Sequence, residues 1–122
     1  RTGIANLARV LRALRLGLSG AIVFSVGRLA ARGRLPRNVL VGIRIPSTLS
    51  SDEAWQAGHE AAAVALTAAG VLPVVLAVVD AATRPGPDAE RALSRIGTGW
   101  LLAWIGVATV QARRAARATE AG

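Results

Sequence analysis

Residues 61–79 are nineteen consecutive residues without a charge, dominated by Ala, Val and Leu. As a helix rising 1.5 Å per residue, such a run reaches across a hydrocarbon core of about 30 Å. A run of that length and composition is long enough to span, and 122 residues make one domain at most. The stretch therefore reads as a transmembrane helix. A hydrophobic content of 52% and a mean hydropathy of +0.44 place the whole chain in the same class.

Charge supports that reading. The net charge is +8, and all fifteen basic residues are Arg. Most of them sit at the ends of apolar runs, where they flank a bilayer, so nucleic acid is not expected as a partner. With no Cys in the chain, disulfides, thiolate metal sites and cysteine nucleophiles are excluded. No signal-peptide or lipidation pattern is read.

Taken in order, residues 1–15 form a basic amphipathic lead-in helix, with Ile4, Leu7, Leu11 and Leu14 at steps of three and four and Arg1, Arg9 and Arg12 on another side. Residues 16–32 hold the first span. Only twelve residues lie between Arg15 and Arg28, about 18 Å of helix, so these arginines must snorkel toward headgroups. Gly17, Ala21 and Ser25 recur every four residues as a small ridge against which a helix can pack. Gly33 and Pro36 break the helix, opening a loop over 33–50 in which 39–45 reads as a short extended piece. Ser50 and Glu53 have capping-box spacing, and a helix over 51–82 contains the second span, passing through Pro73. A connecting turn is expected at 83–95, the third span at 96–112 and a basic tail at 113–122.

The loop and the start of the second helix read N-x-x-x-G-I-R-x-P-x-T-L-x-S-x-E-A-W-x-x-x-H over residues 38–59. That stretch resembles the signature loop of the SdpI family of small bacterial membrane proteins, and the resemblance extends roughly over residues 15–115. It implies an all-α integral membrane protein with three transmembrane helices and a structured interfacial loop between the first two. The family's namesake is a six-helix immunity protein that protects against a secreted toxin and signals to a repressor; this chain resembles its loop-bearing half.

On the matched positions, Asn38, Gly42, Arg44, Pro46, Thr48, Trp55 and His59 are the candidate ligand or partner motif. Trp55 and His59, four apart, share a helix face. Arg44 is expected to tie the loop to the helix start through Asp52 or Glu53, with Trp55 at headgroup level. The motif's plainest role is to fix the loop; a peptide-binding role is the sharper reading. His59 is the sole histidine, and the next residue, Glu60, points about 100° away from it, so neither a metal site, a cofactor site nor a catalytic base with an orienting partner is expected. Asp80, at the far end of the second span, is expected to be an interfacial carboxylate paired with Arg84.

These readings converge on a non-enzymatic, multi-pass protein of the bacterial cell membrane. Immunity to a peptide toxin or signalling through residues 38–59 is the leading function, and homo-oligomers are compatible with it. The alternative is a small accessory subunit that packs against a larger membrane protein complex. Arginine counts of seven and eight on the two sides leave orientation undecided by charge; the resemblance implies a cytoplasmic loop and C-terminus.

Overall fold

A computed structural model describes residues 2–37 and 42–121. Four helices follow one another: α1 at Thr2–Ala31, the one-turn α2 at Pro46–Leu49, α3 at Asp52–Thr83 and α4 at Pro87–Ala121. Among the described residues there is no strand. Helices α1, α3 and α4 are each long and apolar enough to cross a membrane. Their 30, 32 and 35 residues exceed a bilayer's core, so they tilt or project beyond it.

The most apolar helix, α3, lies in the middle and packs along both α1 and α4. Small residues set the spacing. Ala62, Ala65, Ala69, Ala108, Ala112 and Ala116 are buried. A Cβ on Gly20 would lie 2.7 Å from the Gly70 carbonyl oxygen, and one on Gly27 would lie 2.5 Å from the Thr67 amide nitrogen. Backbones so close gain dispersion contacts along their whole length, which is what holds helices together where lipid removes the hydrophobic drive. Large apolar side chains point outward instead: Leu18 and Ile22 from α1, Val64 and Val78 from α3, Leu102 and Val110 from α4 are all exposed. That belt is stable only against lipid.

The close approach is one position away from the ridge expected from sequence. Gly17 faces Ala77, but Ala21 and Ser25 are exposed on the outer flank, and Gly20 and Gly27 make the intimate contacts. The lead-in and the first span are one unbroken helix, α1. It ends at Gly33, whose φ of +65° lets Arg34 N–H bond the Leu29 carbonyl at 2.9 Å and Gly33 N–H the Ala30 carbonyl at 3.1 Å.

Two helix starts differ from expectation. Ser51, not Ser50, caps α3 by accepting the Ala54 N–H at 2.9 Å, which takes Glu53 out of capping-box register. Ser50 instead closes α2. Helix α4 begins at Pro87, well inside the stretch expected to be a turn, because a proline that ends one helix is equally suited to the first position of the next, and Asp88 and Glu90 favour the amino end. Pro73 lies buried within a continuous α3.

At the end away from the loop, Arg12 donates to Glu90 Oε2 at 2.8 Å, tying α1 to α4. Asp80 is buried beside the same pair, so its side chain faces Arg12 and Glu90 rather than Arg84. Arg84 meets Asp80 only through its backbone N–H, which caps α3 from a left-handed conformation.

Candidate functional site

The opposite end of the bundle is closed by the loop. After Gly33 the chain turns inward and buries Leu35, whose carbonyl accepts the Trp55 indole N–H at 2.8 Å and the Gln56 amide at 3.3 Å. Trp55 is wholly buried, so it roofs the helices from within rather than sitting at headgroup level. Below it lies His59, also wholly buried, with ring centroids 4.1 Å apart. Four-residue spacing on α3 produces this stack.

Gly42 re-enters above the two rings with a φ of +116°, a conformation that side chains disfavour. A Cβ there would come 2.8 Å from both His59 Nε2 and Trp55 Cη2, so glycine is required by space as well as by dihedral. Ile43 then points inward and is gripped at both ends: its N–H donates to His59 Nε2 at 2.8 Å, and its carbonyl accepts from Thr48 Oγ1 at 2.6 Å. Since Nε2 accepts, Nδ1 carries the proton and donates to the Trp55 carbonyl at 2.8 Å, which fixes the neutral tautomer. Both ring nitrogens are thereby engaged with backbone.

Pro46 opens α2, and Thr48 on that turn is wholly buried in the notch between α3 and α4. A Cβ on Gly58 would strike Thr48 Cγ2 at 2.9 Å and approach the Ala112 carbonyl oxygen at 3.1 Å, so the spacing of α3, α2 and α4 here depends on a bare backbone. The Ala112 end of α4 thus lies under the loop, which puts the loop and the C-terminal end on one side of the bundle.

Outside, the arrangement is polar. Arg37 Nε pairs with Asp52 Oδ1 at 3.1 Å while its Nη1 donates to the Leu49 carbonyl at 3.1 Å. The loop-to-helix tie is therefore made by Arg37, not by Arg44. Alternation along extended backbone explains the exchange: with Ile43 turned in, Arg44 is turned out, and it is exposed with no ion pair to a described carboxylate. Glu53 is exposed as well. Beside the Arg37–Asp52 pair, Pro36 and Gln56 complete an open cleft of about 460 Å³ over Trp55.

The motif residues thus fall into two sets. Thr48, Trp55 and His59 build the buried interior of the cap and Gly42 closes over the two rings, whereas Arg44 and Pro46 lie on its outer face. Asn38 lies outside the described residues. Leu35, Arg37, Ile43 and Gly58 belong to the cap and are absent from the candidate motif. Ile43 is spelled out in the pattern over 38–59 and Gly58 shows as a glycine inside a helix just before the histidine, whereas Leu35 acts through its carbonyl and Arg37 as a surface charge. No group of three or more His, Cys, Asp or Glu side chains that could hold a metal occurs among the described residues.

Three long apolar helices closed at one end by a packed loop define a multi-pass helical membrane protein. The match to the SdpI/YfhL protein family spans residues 34–112, well over half of the chain, and the chain belongs to that family. The matched region opens at the loop and runs to Ala112, leaving out α1, so it is shorter at its start than the resemblance read from sequence. No curated protein and no solved structure matches the chain.

Proposed function

We propose that the cap is a recognition surface: a non-enzymatic membrane protein of the SdpI type whose loop face binds a peptide or protein, giving immunity to a peptide toxin or passing a signal. The observation that carries this reading is the division of labour in the loop. Thr48, Trp55 and His59 are spent on a buried interior with Gly42 laid over the two rings, while the guanidinium of Arg44 is exposed and a polar cleft opens at Arg37, Asp52 and Gln56. A pre-ordered charged face lowers the entropy cost of binding an extended partner. In this reading the loop and C-terminus face the cytoplasm of a bacterial cell.

The accessory-subunit reading has one observation in its favour, the exposed small residues Ala21 and Ser25 on the flank of α1. The two readings part at Arg44→Ala. In a host deleted for the native gene and challenged with the secreted products of its neighbours, the recognition reading expects the variant to insert at the wild-type level yet lose protection. Full protection by Arg44→Ala would overturn it.

A further inference from the structure

Helices α1 and α3 leave a groove along their outer flank. Its loop-ward half, about 290 Å³, is lined by Arg28, Ala63, Thr67 and Val71, and its continuation past Val71, about 360 Å³, runs between Ser25 and Val75. Ala63 to Val75 is about 18 Å of helix, the reach of an extended acyl chain. The groove's two hydroxyls are turned away from any ligand: Ser25 donates to the Ala21 carbonyl and Thr67 to the Ala63 carbonyl, each at 2.8 Å. Its surface is therefore apolar along the walls and charged only at its loop-ward mouth.

That charge is Arg28, exposed, with no hydrogen bond or ion pair to a described residue. Arg32 and Arg34 follow it, also exposed. Of the acids at this end Glu60 lies beside Gly33, and neither it nor Asp52 nor Glu53 forms an ion pair with Arg28. A guanidinium at the edge of the hydrocarbon without a carboxylate partner is satisfied by a phosphate, which it can hold by two parallel hydrogen bonds. We propose that this groove is a binding site for an anionic phospholipid, with the acyl chain between α1 and α3 and the headgroup phosphate on Arg28. A second copy of the chain fits less well, since a two-fold contact along the groove would bring two Arg28 side chains together.

Native mass spectrometry of the detergent-purified protein, with phosphatidylglycerol or phosphatidylcholine of the same acyl chains added, tests this. Wild type retains one phosphatidylglycerol per protomer and holds phosphatidylcholine more weakly. Arg28→Gln weakens phosphatidylglycerol about fivefold, the factor expected for one basic residue at an anionic surface. Arg28→Lys keeps the preference, and Ser25→Leu, which fills the groove, loses both lipids. Circular dichroism checks that each variant stays helical. Equal retention of the two lipids by wild type, or unchanged retention in Arg28→Gln, would overturn the proposal. So would a dimer that Ser25→Leu converts to monomer with lipid retention intact.

Discussion

The Nε2 atom of His59 lies 2.8 Å from the amide nitrogen of Ile43 and equally close to the place a Cβ would take on Gly42. One buried imidazole thus reads two consecutive loop residues, accepting the N–H of one and tolerating only hydrogen on the other. A loop returning over membrane helices has backbone groups with no water to satisfy them, and each left unpaired costs several kcal/mol in hydrocarbon and about 1–3 kcal/mol in a protein interior. His59 and Thr48 remove that cost at Ile43 by taking its N–H and its C=O. The spacing of the motif is the spacing of this clamp.

Gly42→Ala should open the cap. The added methyl meets both rings, and the φ of +116° is strained for any side chain, so the loss is at least about 2 kcal/mol of local stability. Opening by that amount exposes the loop about thirtyfold more often. Limited trypsin digestion of wild type and variant, timed at Arg44, reads the change directly. Equal cleavage rates would mean that Gly42 does not hold the loop down.

His59→Ala should release Ile43 without unfolding the bundle. The variant loses the acceptor for the Ile43 N–H, the donor to the Trp55 carbonyl and the ring against Trp55. Hydrogen exchange at the Ile43 amide, measured by NMR in micelles, should quicken by about ten- to hundredfold, the range set by one buried hydrogen bond. Amides in the middle of α3 should keep their protection. His59→Gln, whose side-chain oxygen can accept, should recover part of the difference. An Ile43 amide equally protected in His59→Ala would remove histidine from its role.

Long apolar runs were legible because their signal is local. Nineteen uncharged residues need no partner to be read as a span, and Gly33 and Pro36 mark the end of α1 by their own backbone chemistry. What sequence could not show depends on which atoms meet. Several series of small residues run along α1, and only the position of Gly70 and Thr67 on α3 decides that Gly20 and Gly27 face inward while Ala21 and Ser25 face out. The choice of Arg37 over Arg44 as partner of Asp52 likewise follows from the turn at Gly42, which sets which residues of the returning extended segment point in. Trp55 and His59 could be placed on one face by spacing, but their partners at Leu35 and Ile43 are backbone groups, which any residue supplies.

The register of α1 against α3 can be locked covalently. A Cβ on Gly17 would stand 3.2 Å from the Ala77 Cβ, just short of the roughly 3.5–4.5 Å separation across a disulfide, so a parting of a few tenths of an ångström seats the bond. The chain contains no cysteine, so Gly17→Cys with Ala77→Cys creates one pair and no competitor. Mild oxidation in membranes should close it nearly completely, read as a mobility shift reversed by reductant. Ala21→Cys with Ala77→Cys should stay reduced, because Ala21 is exposed on the outer flank. Adding Gly27→Leu to the first pair should prevent closure, since even its Cβ would reach 2.5 Å from the Thr67 amide nitrogen and must push α1 off α3. A pair at 21 and 77 that closes as readily as the pair at 17 and 77 would mean that the glycines at 20, 27 and 70 do not form the seam.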